Sequence, residues 1–538
     1  MNSMRKIYCI AMLCAVAVSA MAVPARPGWQ TRTQADGTTI EVQLVGDEFY
    51  HYTMNRDGKI VQLNENGMYE VVGDVPTEEV VLARRAKAKA LHQTAETGAT
   101  PNLAPKGVVI LVNFSDKTFD DSHTQAMFDD MFNSANCTTN TYSGIHYPSA
   151  AEYFSSQSNG AYRPQFDVFG PVTLSGGYAS YGKDYNGEGN DKNAAGAVVE
   201  GCLLADKKYT INWADYDSNN DGYVDFVYMI YAGRGQADGA ESSTIWPHNW
   251  NIEEAISYGY CTYNRSQCVV GGKHLNSYAC SSELDGSSLC GIGTLCHEFG
   301  HVMGLPDFYD TNYGTNYKNE LTPGEWDIMD GGAYNGGGHC PPNYSPWEKY
   351  FFGWQTPVNL GNNGQTLNLI ANGVEGYQAY QVNESGEQQG ATTSGQCYYF
   401  ENRQKKGWDK YVPAAGMVIW KVNYNATKWA ENTPNNTARK PLYTIVCSNG
   451  TKVGSSNGKG NVFPYSNKTI TVDSWEDVVG KPLNNIAQSG GIVTLNYIHE
   501  GQGLEDVEDG KQAQKILRDG HLVIIRDGKE YDATGRRL

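Results

Sequence analysis

The segment that most restricts what this chain can fold into is Cys296-His297-Glu298-Phe299-Gly300-His301-Val302-Met303-Gly304-Leu305-Pro306-Asp307. It contains the pattern H-E-x-x-H, and on a helix residues four apart share one face. Both imidazoles then reach a single ion, and zinc suits this pair. The helix must end in a sharp turn. Gly304 is able to leave it with positive φ, and Pro306 forbids its continuation. The turned chain carries Asp307 back as a third ligand. Three protein ligands leave one position open for water, the pattern of a catalytic rather than a structural zinc. Glu298 lies beside the rings as the candidate general base, able to take a proton from a water that the metal acidifies.

Nineteen residues after Asp307, Trp326-Asp327-Ile328-Met329-Asp330-Gly331-Gly332 begins and sets a methionine in a tight turn. Met329 is expected to lie beneath the zinc as a soft apolar floor, whereas alone it would read as an ordinary core residue. Tyr309 and Tyr334 are close enough in sequence to act on a developing oxyanion, with a structural role as the plainer reading of each. A second motif is Asp217-Ser218-Asn219-Asn220-Asp221-Gly222-Tyr223-Val224-Asp225. Oxygens at alternating positions before a glycine match the first half of a calcium loop, so Asp217, Asn219, Asp221 and Asp225 are candidate calcium ligands. The glutamate expected at the twelfth place is absent, and Asp215 or a distant carboxylate would have to complete the shell. An Asx-rich turn ahead of a strand is the structural alternative.

The chain carries 59 acidic and 41 basic side chains, a formal charge of -18. That excess repels phosphate backbones and argues against nucleic acid as a partner. Arg5 and Lys6 precede an apolar run over residues 7–20, and Ala20-Met21-Ala22 offers a small-x-small cleavage site. Residues 1–22 therefore read as a signal peptide, too short to span a membrane, and no other long apolar run follows. The expected location is secreted or extracellular, with retention at the cell surface as a second option. Ten cysteines remain after Cys9 and Cys14 leave with the signal. An even number in an exported chain suggests disulfides, with Cys261–Cys268 and Cys280–Cys290 as local guesses.

Residues 23–105 read as a propeptide-like unit. Alternating apolar residues broken by Ala35-Asp36-Gly37, Arg56-Asp57-Gly58 and Glu65-Asn66-Gly67 give short hairpins. A helix through Leu82, Ala86 and Ala90 then carries Arg84, Arg85, Lys87 and Lys89 towards a loose stretch at 94–106, a candidate processing site. Residues 106–355 alternate strands (108–114, 225–232, 274–284) with helices (149–159, 194–207 and one from near 291), an α/β pattern. Beyond 356 the helices fade. Strands near 398–400, 416–422, 442–446 and 492–497 suggest a β-sandwich over 356–500. Residues 501–538 form a tail with Asp-Gly turns. The expected fold is multidomain α+β: a zinc protease catalytic domain followed by an all-β, sandwich-like domain.

Together these pieces resemble the immune inhibitor A family of secreted zinc metallopeptidases, from about residue 37 to 500. The likeness rests on Trp246-Pro247-His248, Leu305-Pro306-Asp307-Phe308-Tyr309-Asp310, Ile328-Met329-Asp330-Gly331-Gly332, Ser345-Pro346-Trp347-Glu348-Lys349-Tyr350, Glu401-Asn402-Arg403-Gln404 and residues 416–420. It implies a metzincin-like two-lobed catalytic domain, a propeptide, bound calcium and a following β-rich domain. It carries the ligand roles onto His297, His301 and Asp307 and the base role onto Glu298. The commoner metzincin motif ends in His, whereas the family it resembles has Asp there. The tail from Lys515 to Leu538 is similar to a type IX secretion sorting tail.

The expected function is a zinc endopeptidase that hydrolyses peptide bonds of extracellular proteins. The alternative from another class is a non-catalytic surface protein that binds glycan or host protein with a vestigial zinc site. A zinc amidase acting on cell-wall peptide would differ only in substrate. No cysteine lies between Cys14 and Cys137, so a thiol cannot block the zinc of a latent form. Asp47, Glu48 and His51 are the candidates for that role.

Overall fold

Lys106–Asn113 and Val227–Arg234 are nearly continuous apolar runs, and such strands are stable only with both faces covered. They sit at the centre of a sheet ordered His248–Asn251, Ser277–Asp285, Val227–Arg234, Lys106–Asn113, Gln165–Thr173. The last four run parallel, and His248–Asn251 runs antiparallel at the edge. Alternate side chains serve opposite layers. Val108, Ile110 and Val112 join Ala197, Val198 and Cys202 of the helix Ala194–Lys208. Val109, Leu111, Phe166, Tyr228 and Ala279 join Leu295, Cys296 and Phe299 of the helix Gly293–Val302. The sheet is thus the platform on which the H-E-x-x-H helix lies.

The computed structural model describes residues 24–83 apart from 27, 48, 49, 65, 78 and 82, then 103–183, 191–311, 322–437, 440–448, 459–464, 470–472, 481–498, 514–518, 521–526, 529–531 and 538. The expected signal peptide, Glu48 and the helix expected through Leu82, Ala86 and Ala90 lie wholly or largely outside them. Gln30–Thr33, Thr39–Gly46, His51–Asn55, Lys59–Leu63 and Tyr69–Asp74 form an antiparallel meander in sequence order. Among the described residues no helix is long and apolar enough to cross a membrane.

Past residue 356 two sheets follow. One is ordered Val358–Asn359, Tyr380–Val382, Gly395–Arg403, Gly416–Tyr424, Tyr443–Ile445, the other Gln365–Leu369, Ile492–Tyr497, Leu483–Ser489, Ile470–Val472. Tyr398, Phe400, Met417 and Ile419 cluster with Leu367, Leu483 and Leu495 of the second sheet. The intervening residues Cys397, Tyr399, Val418, Trp420 and Val422 cluster with Phe299, Met329 and Trp347. The boundary expected at 355/356 therefore runs through one shared core. The tail forms a three-stranded antiparallel sheet of Gln514–Arg518, His521–Arg526 and Lys529–Tyr531.

All ten cysteines from Cys137 onward are free thiols, so the expected disulfides are absent from the structure. Six of them are buried and fill core space as small apolar groups. Cys261 and Cys268 do meet as hydrogen-bonded neighbours. Cys280 instead turns towards His248 Nδ1 and the Trp246 carbonyl.

Candidate active site

The helix Gly293–Val302 is buried along its whole length. It ends where Gly304 takes φ +103 and Leu305 N–H donates back to the Gly300 carbonyl at 3.0 Å. That reversal returns Asp307 to the helix. His297 Nδ1 lies 2.7 Å from the Ile328 carbonyl and His301 Nδ1 lies 2.8 Å from the Leu305 carbonyl. Carbonyls only accept, so each Nδ1 carries the donated proton and each neutral ring leaves a lone pair on Nε2. The two Nε2 atoms face each other at 3.1 Å, and Asp307 Oδ1 stands 3.2 and 3.3 Å from them.

Three lone-pair donors turned on one another repel unless a cation lies among them. Tetrahedral zinc with bonds of about 2.0–2.1 Å sets its ligand atoms about 3.3 Å apart. The observed spacing fits that ion. The Glu298 carboxylate is buried beside this group, within 4.8 Å of the ring nitrogens.

The turn carrying Met329 is bonded to the same segment, since Phe308 N–H donates to the Met329 carbonyl at 2.8 Å. Met329 Sδ packs against Gly300, between the two histidines in sequence. One contributor went unseen in the sequence. Asn432 Nδ2 donates to Asp307 Oδ2 at 2.7 Å, and Asp307 N–H donates to Asn432 Oδ1 at 2.6 Å. Only the run Asn432-Thr433-Pro434-Asn435-Asn436 marks the place, and its residues read as turn formers.

A family model described as the immune inhibitor A peptidase M6 catalytic domain matches residues 93–359. Residues 93–359 belong to the immune inhibitor A family, peptidase M6. The chain is also 28% identical over 278 residues to the pre-pro-metalloprotease PrtV of Vibrio cholerae serotype O1, a match covering 46% of this chain and 29% of that protein. It is 30% identical over 221 residues to immune inhibitor A of Bacillus thuringiensis subsp. alesti, covering 37% and 31%. The matched stretch thus spans less than a third of either relative.

The N-terminal meander lies against the M6 catalytic domain. Ala25 and Leu44 cluster with Ala237 and Trp246, and Val45 packs on Tyr309. His51 stacks on Trp246 with ring centroids 4.4 Å apart. Its Nδ1 donates to the Asp47 carbonyl, and its Nε2 accepts from Gln236 Nε2 at 2.8 Å. Both nitrogens are therefore engaged, and Asp47 is fully buried. Tyr334 does not point to free solvent: its hydroxyl donates to the Pro24 carbonyl at 2.7 Å. Arg26 pairs with Asp238 and Asp285 of the M6 domain.

The second motif folds as a tight loop. Asp217 Oδ1 and Oδ2 accept from the amides of Asp221 and Gly222, and Asp225 Oδ2 accepts from Ser218 N–H. Asn219 Oδ1 accepts from Asp221 N–H, and Asp221 Oδ1 accepts from Tyr223 N–H. Lys273 Nζ also reaches Asp217 Oδ2 at 2.5 Å, so a protein cation already sits on one of the expected calcium ligands.

Proposed function

We propose that this chain is a secreted zinc-dependent endopeptidase, made in a latent form, that hydrolyses peptide bonds of extracellular proteins. The observation that carries the reading is the convergence of His297 Nε2, His301 Nε2 and Asp307 Oδ1 within 3.3 Å, with Glu298 beside them. Zinc bound there would supply Lewis-acid polarisation of a peptide carbonyl and acidify the attacking water. Glu298 takes the proton from that water and passes it to the leaving amine. Met329 supports the helix from below. Tyr334 Oη donates to the main-chain carbonyl of Pro24, which fits the structural role that is the plainer reading of this residue.

Purified chain freed of its N-terminal segment should cleave casein, lose cleavage to a chelator and regain it with zinc. Glu298→Ala should abolish cleavage while zinc stays bound. A fully zinc-loaded, folded protein that leaves casein intact would sink the proposal.

Latency is assigned to residues 23–105, and the relative from Vibrio cholerae is itself named as a pre-pro-metalloprotease. Support comes from the contacts of Pro24, Ala25, Leu44, Val45 and His51 with Ala237, Trp246, Tyr309 and Tyr334. Of the three candidate blocking groups, His51 has both ring nitrogens engaged, and the buried Asp47 accepts from Tyr50 N–H. Substituting Asp47, Glu48 and His51 by Ala should release activity early; unchanged latency would reject a side-chain block. Calcium at Asp217, Asn219, Asp221 and Asp225 is proposed as a structural ion that must displace Lys273. Protein or peptide is the partner expected, and export follows from the signal-like N-terminus.

A further inference from the structure

We infer that Asn432, from the β-rich part of the chain, is the positioning residue that decides which oxygen of Asp307 faces the metal. The inference rests on the zinc reading above. Asp307 offers one main-chain donor and a carboxylate that only accepts. Asn432 answers each with the matching half of its amide, Oδ1 to the N–H at 2.6 Å and Nδ2 to Oδ2 at 2.7 Å. Each bond by itself selects the amide orientation, because an N–H needs Oδ1 and a carboxylate needs Nδ2, and the two agree. With Oδ2 held, Oδ1 is the oxygen left to the two Nε2 atoms. A carboxylate without that hold is free to rotate, to offer either oxygen or both.

Asn432 is itself held firmly. It is buried and takes φ +53, a conformation that asparagine tolerates better than most residues. It follows the short helix Ala426–Ala430, whose Trp429 is anchored in the core. The next asparagines grip the rest of the same loop: Asn435 Nδ2 donates to the Phe308 carbonyl and Asn436 bonds Thr311. Phe308 stacks on Tyr443 at 3.7 Å, which closes the apolar side. The metal site therefore draws on residues beyond 359, where the matched catalytic segment ends.

The test uses the full chain and reads zinc affinity by competition with a chromogenic chelator, the cobalt(II) absorption spectrum, and melting of the metal-free protein. Asn432→Ala is expected to weaken zinc binding by about 10–100-fold and to shift the cobalt bands. Asn435→Ala removes bonds from the same loop without touching Asp307. It should lower the melting temperature yet keep zinc affinity within about twofold and leave the cobalt bands in place. Asn432→Asp, which keeps the shape but sets a carboxylate against Oδ2, should weaken zinc at least as much as the alanine variant. It replaces that variant in the comparison if Asn432→Ala does not fold. Zinc affinity unchanged in the Asn432 variants, or lost equally in Asn435→Ala, overturns the inference. Tight zinc without cleavage would sink the endopeptidase reading and leave this one standing.

Discussion

The sulfur of Met329 occupies the space where a side chain on Gly300 would begin: a Cβ at Gly300 would stand 2.7 Å from Met329 Sδ. Gly300 comes three residues after His297 and one before His301. Its missing side chain is what lets the methionine turn close against the helix that carries His297 and His301.

Gly300→Ala tests that contact. In an open helix the change would gain about 0.5–1 kcal/mol. Here Met329 is fully buried, and overpacking such a site costs about 1–3 kcal/mol. A net loss of stability is expected, seen as a lower urea midpoint, and in a Met329→Ala background the same Gly300→Ala change should no longer lower it. A Gly300→Ala protein as stable as its parent would mean that the sulfur yields freely.

Arg403 carries a larger load. Its Nε donates to Glu401 Oε1 and its Nη1 to Asp409 Oδ1, both at 2.7 Å, and all three residues are buried. Glu401 also accepts from Trp420 and Tyr377, and Asp409 from Asn343. Arg403→Met leaves two buried carboxylates uncompensated, which costs about 3–5 kcal/mol. Lysine, a single point charge, cannot fork to both partners and should restore only part. Because the network joins residue 343 to strands beyond 395, calorimetry should show one transition moving down as a whole. Loss confined to a separate late transition would disprove the coupling.

Elements with strong apolar periodicity were legible in the sequence. Residues 108–114 and 194–207 foretold the strand Lys106–Asn113 and the helix Ala194–Lys208, and 492–497 foretold Ile492–Tyr497. The edge strand His248–Asn251 was not, because its polar side chains give no alternation. They are buried by specific partners instead: His248 between the Trp246 carbonyl and Tyr278 Oη, and Asn251 capping the next helix. At the site, helical spacing and the Gly304–Pro306 turn brought His297, His301 and Asp307 into one group. Asn432 is 125 residues away from Asp307 in sequence, and no local signal reports a contact of that range. Contacts across 355/356 were hidden for a related reason: Gly416–Tyr424 is apolar on both faces, since each face covers a different core.

A pH signature is expected from the pair that holds Arg26. Burial first, then the hydrogen bond and charge of Asp238, push the Asp285 carboxyl up to about 7, while Asp238 is held down. The folded chain thus keeps a proton that the unfolded chain releases from 3.8 upward. Stability from this group is full below that unfolded value and is lost as pH rises through about 7. Asp285→Asn retains a hydrogen-bond donor without the titration. Its urea midpoint should gain on that of the parent as pH is raised across this window. Parallel curves would show that Asp285 does not hold the proton.

Lys273 would compete with the calcium proposed for the loop at Asp217. Its ammonium lies 2.5 Å from Asp217 Oδ2, and Asp217 is buried at 2% exposure. A divalent ion must therefore displace a cation already paired there, and desolvate the same oxygen that Gly222 N–H also occupies. Removing the ammonium removes that competition. Lys273→Ala should tighten calcium binding by about tenfold, roughly 1.4 kcal/mol, read by titration calorimetry, and calcium should then raise the melting temperature more than in the parent. Asp221→Ala in the Lys273→Ala background should erase the gain, because it removes a ligand the lysine does not touch. Equal affinities with and without Lys273 would place any calcium elsewhere, and the loop would then stand as an Asx turn closed by its own lysine.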